Sequence, residues 1–193
     1  MPGPLRSALD DAWCVRHRCH IEWMVLPVVW GVASTLALSA FDVAVHLGLG
    51  VYDRDDEIYL ERGAINWREG VDANACEVRG VVDEARAARE ICHPAPWVAR
   101  VLDEWSNSRR AGFSFVSRPA RDTNVFLCNE THHRSLTHAG GFSGGAVFVH
   151  VPVPAPGRLA ALAGAVAQLC EALVLASPDP RGARAHVRSD PGT

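Results

Sequence analysis

The stretch "AVFVHVP" (residues 146–152) is an apolar run carrying a single imidazole and closed by Pro152, a residue that cannot donate to a sheet ladder. Such a run is the mark of a strand buried on both faces. Immediately after it, between Gly157 and Ala176, Leu159, Leu162, Val166, Leu169 and Leu173 recur at three- and four-residue steps, which makes one apolar face of a helix. Strand then helix is the unit, and the chain repeats it. Asp42 leads into "VAVHLGLG" (43–50), a second apolar run ending in glycines, and "VFLCNET" (125–131) passes from an apolar run into a helix reaching about His138. Alternation of this kind predicts an α/β fold, a three-layer α/β/α sandwich with a mostly parallel central sheet.

Working outward, "IEWMVLPVVW" (21–30) is expected as a strand closed by Gly31, followed by a short helix over Val32 to Ala40. In "EIYLERGAIN" (57–66), Ile58 and Leu60 alternate with Tyr59 and Glu61, an extended pattern. Residues 67–95 are polar and read as loop with at most one exposed helix, the run "VRGVVDEARAARE" being a charged surface. Trp97, Val98, Val101, Leu102 and Trp105 form a helical face reaching Arg110, with core packing as its plain purpose and contact in a homo-oligomer as the alternative. "FSFVS" (113–117) is a strand, and "GGFSGG" (140–145) a flexible turn. One domain is expected over 21–176. Residues 1–20, with two early prolines, read as a frayed end or a short helix, and 177–193, rich in Pro, Gly, Arg and Asp, as a disordered tail.

The chain has 193 residues, 48% of them hydrophobic and 21% charged, with a net charge of −3. This balance gives no bulk attraction to nucleic acid or to an anionic membrane. The longest apolar stretch, "VLPVVWGVASTLALSAF", is broken by Pro27 and Gly31, short of the roughly 20 residues a spanning helix needs. The six cysteines are scattered, which suits reduced thiols in a cytoplasmic protein without disulfides.

In parallel α/β sheets, sites gather where strands turn into helices. Three residues fall at such places: Glu61, Cys128 and His150. A cysteine in the first turn of a helix meets the positive end of the helix dipole and unpaired N–H groups. With an imidazole nearby, these draw a thiol from about 8.5 towards ~3.5–7.5. The same N–H groups can hold an oxyanion. A histidine inside an apolar strand needs partners for both ring nitrogens, and a carboxylate such as Glu61 on one would leave the other for the thiol. Each residue also has a plain reading: Cys128 as a small core residue, His150 as a hydrogen-bonded core histidine, Glu61 as a solvent-facing strand residue. Spacing by itself does not decide between them.

A resemblance bears on that choice. "LERGAIN" resembles the E-R-x-A-x-N segment of pyroglutamyl-peptidase I, a cysteine peptidase family. "DTNVFLCNETHHRSL" is similar to its A-G-x-[YF]-[LV]-C-N segment, and "AVFVHVPVP" to its G-F-[IV]-H-[VI]-P segment. Upstream, "IEWMVLPVVWGVA" and "FDVAVHLGLG" resemble two further strands of the family. The resemblance spans about residues 21–175. It implies Cys128 as nucleophile, His150 as general base and acid, and Glu61 as the carboxylate orienting His150. The implied substrates are peptides with an N-terminal pyroglutamate, and the implied chemistry uses no metal or organic cofactor. Nothing in Met1 to His20 resembles the family's opening strand and G-F-x-P-F-G loop, and the family's D-A-R-I-P-D-N run is reduced to "GVDAN" (70–74). The resemblance therefore also admits an inactive or truncated member, or a related thiol amidohydrolase with another acyl substrate.

Two clusters stand apart. "CVRHRCH" (Cys14, His17, Cys19, His20), with Cys92 and His93 as further candidates, has zinc-type ligands, but crowded and without a second C-x₂₋₄-C pair, so incidental residues in a terminal segment are the expectation. "THHRSLTH" (131–138) is expected to be a solvated helix face, with a wall of the cleft as the alternative.

Overall fold

The computed structural model describes residues 2–50, 54–138 and 145–178. The chain opens with helices α1 (Pro2–Ala8) and α2 (Asp11–His17), then runs through two 3-10 turns (Val32–Thr35 and Leu38–Ala40) into strand β1 (Val43–Leu49). Strands β2 (Glu57–Glu61), β3 (Ala64–Ile65), β4 (Arg68–Val71), β5 (Glu77–Gly80) and β6 (Ile91–Cys92) follow, then helix α3 (Pro96–Trp105). The remainder comprises β7 (Arg109–Arg110), β8 (Phe113–Arg118), α4 (Leu127–Leu136), β9 (Gly145–Val151) and α5 (Leu159–Ala176).

Five strands form the central sheet in the order β1-β9-β2-β8-β7. The pairs β1–β9 and β2–β8 are parallel, whereas the junctions β9–β2 and β8–β7 are antiparallel. Helices α1, α3 and α5 cover one face, and α4 lies on the other with the small hairpins β3–β6 and β4–β5, giving the three layers. Side-chain alternation assigns each face its chemistry. Val147, Val149 and Val151 of β9, Ile58 and Leu60 of β2, and Phe113 and Phe115 of β8 enter one apolar core with Leu162, Val166, Leu169 and Leu173 of α5. The alternate residues, His46, Gly48, Tyr59, Glu61, Phe148 and His150, occupy the face beneath α4. α5 has the length and composition of a membrane span, but its apolar stripe is used in this core.

Several expectations need correction. Of the two readings of residues 1–20 the helical one holds, as two short helices: Asp10 caps α2 by accepting the Trp13 N–H at 2.9 Å, and Leu5, Leu9 and Trp13 are buried. Residues 21–30 are extended but join no sheet. Pro27 lacks a donor there, Met24, Val25 and Val28 are exposed, and the segment is held at its end by Trp30 N–H to Asp72 and by Ala73 N–H to the Val28 carbonyl. The helix expected over 32–40 is two 3-10 turns because the Ser34 and Thr35 hydroxyls bond back to the carbonyls of Gly31 and Val32. β1 lies at a sheet edge and is half-buried, not buried on both faces. Residues 67–95 hold short strands and no helix, and α3 stops at Trp105. The turn at 140–145 lies almost wholly outside the described residues, as does the tail beyond Pro178.

Candidate active site

β2 and β9 run antiparallel with Tyr59 opposite His150 and Glu61 opposite Phe148, so Glu61 and His150 are diagonal neighbours on one sheet face. Their side chains meet: His150 Nδ1 lies 2.9 Å from Glu61 Oε1. Both are almost completely buried, at 5% and 1% exposure, which rules out the solvent-facing reading of Glu61. The bond to Glu61 leaves the other ring nitrogen for Cys128, whose thiol is near enough to raise His150. Burial opposes protonation of His150, but Cys128 and Glu61 outweigh it and hold the ring at about 9. The imidazolium is thus the favoured form at neutral pH.

Cys128 is the second residue of α4, partly accessible, on a first turn whose leading N–H groups have no carbonyl four residues back. Below it, β1 passes at Gly48. A Cβ on Gly48 would stand 2.6 Å from the Phe148 ring and 3.2 Å from Cys128 Sγ, so the glycine is what lets strand, ring and thiol pack so closely.

The first turn of α4 is fixed by two buried residues, Asn129, which matches the Asn of the C-N segment, and Glu130, which had no sequence signal. Asn129 clasps β3 through Ile65 N–H to Oδ1 (2.9 Å) and Nδ2–H to the carbonyls of Ile65 (2.8 Å) and Trp67 (2.7 Å). Glu130 accepts the Gly31 N–H at 2.9 Å and pairs with Arg68 at 2.6 Å and Arg134 at 3.1 Å. In the same way Asn66 closes the 82–87 loop, accepting N–H bonds from Val82 and Asp83 and donating to three carbonyls.

His132 and His133 are buried rather than solvated, because the β3–β6 arm and the 31–35 turn enclose α4. Burial pushes His132 down to about 3 and His46 and His133 down to about 4. His46 bonds Ser135 Oγ at 2.8 Å, and His132 and His150 both lie against Phe148. His132 is thus a buried ring beside Phe148, and the solvated-face expectation does not hold. Among the described residues no group of three or more His, Cys, Asp or Glu could hold a metal ion.

Taken together these groups bring a thiol in the first turn of a helix beside an imidazole that is bonded to a carboxylate, a constellation able to perform nucleophilic acyl transfer. No family model and no curated protein matches the chain. Solved structures do. A variant of pyrrolidone carboxyl peptidase from Pyrococcus furiosus is 20% identical, with a TM-score of 0.58 over 78% of this chain and 80% of that one. A second structure of the P. furiosus enzyme, solved together with its cysteine-free mutant, gives 0.57 at 20% identity over 79% and 81%. Pyrrolidone carboxyl peptidase from Thermococcus litoralis gives 0.50 at 18% identity over 72% and 66%. The chain has the α/β fold of these peptidases.

Proposed function

We propose that the protein is a cysteine peptidase that removes N-terminal pyroglutamate, the residue of pyrrolidone carboxylic acid, from peptides. One observation carries the reading: the buried His150 is bonded to Glu61 through one ring nitrogen and lies beside the partly accessible Cys128 thiol. The fold shared with pyrrolidone carboxyl peptidases and the resemblance of the three site segments support the substrate class. In the proposed cycle Cys128 thiolate attacks the carbonyl joining pyroglutamate to the next residue, while first-turn N–H groups of α4 receive the oxyanion. The His150 imidazolium protonates the departing amine. His150, now neutral and held by Glu61, takes a proton from water, which attacks the thioester, and Cys128 leaves as thiolate. A cytoplasmic location, and action without nucleic acid, membrane or cofactor, belong to the same proposal, as does assembly into a homo-oligomer.

A second reading, a thiol amidohydrolase for another acyl group or a catalytically silent relative, rests on the departures of Met1 to His20 and of "GVDAN" (70–74) from the family's segments. Release of a fluorophore from a pyroglutamyl amide separates the two. Turnover lost on thiol alkylation and in Cys128→Ala supports the peptidase. No turnover by the folded protein, or cleavage of other acyl amides alone, would overturn it.

A further inference from the structure

α2 ends on a left-handed residue, Arg18 (φ 52°, ψ 44°), whose N–H returns to the Val15 carbonyl at 3.3 Å, while Cys19 N–H returns to the Cys14 carbonyl at 3.1 Å. These paired bonds form a Schellman motif, which sets the side chain of the residue after the left-handed position against that of a residue in the last turn. Here both are cysteines, near enough for the Cys14 thiol to raise that of Cys19. Both are free and half-buried against the apolar core. The "CVRHRCH" cluster thus resolves into one dithiol, with His17 turned away to Glu171 of α5 at 3.5 Å.

We propose that Cys14 and Cys19 are a redox-modification site, closing to a reversible disulfide across the end of α2 by exchange with a low-molecular-weight disulfide. Burial first, and the neighbouring Cys14 second, push the Cys19 thiol up to about 11, so the first attack falls to Cys14. Cys14 thiolate attacks one sulfur of the small disulfide, forming a mixed disulfide and expelling one thiolate. Cys19, losing its proton, then attacks the Cys14 sulfur and expels the second. Two protein thiols are oxidised by two electrons, one small disulfide is reduced to two thiols, and the two protons pass to those products. The new bond would fix the direction in which the 19–30 strap leaves α2. That strap ends at Gly31, on Glu130, two residues beyond Cys128. The proposal stands whether or not Cys128 is a nucleophile.

Trypsin cuts after Arg16 and Arg18, so the two cysteines fall on separate peptides that only a disulfide can join. The fully reduced protein is incubated with oxidised glutathione, natively and in concentrated guanidinium chloride, quenched with an alkylator, digested and weighed. We expect the joined pair to form at least about tenfold faster in the native protein, as preorganised thiols require. It should be absent in C14S and C19S and retained in C76S. Separate capping of the two thiols by glutathione, pairing of either with Cys170, or a native rate no greater than the denatured one would overturn the assignment.

Discussion

His150 Nδ1 and Glu61 Oε1 are 2.9 Å apart on adjacent antiparallel strands, with both residues sealed from water. The carboxylate accepts the Nδ1–H and so keeps the opposite nitrogen directed at Cys128. Glu61→Gln preserves size but can offer its amide NH₂ to Nδ1, which favours the wrong tautomer. Steady-state kinetics on a pyroglutamyl amide should show kcat reduced by about 10²–10⁴, with KM little changed. A kcat within twofold of the parent would remove Glu61 from the machinery.

The acid in the proposed first step is the His150 imidazolium, held at about 9 by Cys128 and Glu61 against the opposing effect of burial. Acylation should therefore fall away as pH rises through about 9. In Glu61→Gln that alkaline limb should move to lower pH, since one of the two supports is gone. Linkage has the same sign. A histidine raised on folding contributes stability that is complete below about 6.5 and is lost as pH climbs through about 9. Titration of the ring by NMR reads the value directly, and a ring titrating near 6.5 would contradict the assignment.

The other buried histidines act in the opposite direction. His46, His132 and His133 are pushed down to about 4, 3 and 4, chiefly by burial, so the unfolded chain takes up protons before the folded one does. Stability should decline as pH falls from about 6.5 to about 4, by at most on the order of 1 kcal/mol per pH unit for each fully buried ring and less for His133. Urea midpoints across that range measure the slope. His132→Phe, which keeps an aromatic ring beside Phe148, should flatten it, and an unchanged slope would sink this account.

Strong periodicity made some of this architecture legible. The runs around His150 and Phe113 are strands where expected, and α5 lies where its leucine spacing requires, but α4 and Cys128 follow a loop rather than a strand. The misplaced elements share a cause: local chemistry overrode composition. Pro27 kept an apolar run out of the sheet, and the Ser34 and Thr35 hydroxyls bent a helix-forming stretch into 3-10 turns. Burial on the α4 side was hidden for a different reason. Asn129, Glu130, His132 and His133 look like a solvated face, and only contacts with residues 31 and 63–92, distant in sequence, turn it inward. The triad was nominated by resemblance and its geometry by the fold, since no spacing in one dimension places residue 61 beside residue 150.

Gly48 provides the test of how tightly the Cys128 thiol is packed. It pairs with His150 across the parallel β1–β9 ladder, and the space a side chain would take is already filled by the Phe148 ring at 2.6 Å and Cys128 Sγ at 3.2 Å. Gly48→Ala must displace one or both. Displacing the ring costs about 1–3 kcal/mol as overpacking, and displacing the thiol moves it from its place beside His150, so kcat should drop more than tenfold. Gly145→Ala is the contrast. There a Cβ would strike Trp97 and Val98 at 2.3 Å at the far end of β9 from His150, so stability should fall while the kcat of the remaining folded enzyme holds. Denaturant melts and active-site titration of both variants separate the effects. Equal kcat losses in the two would mean that Gly48 matters only for folding.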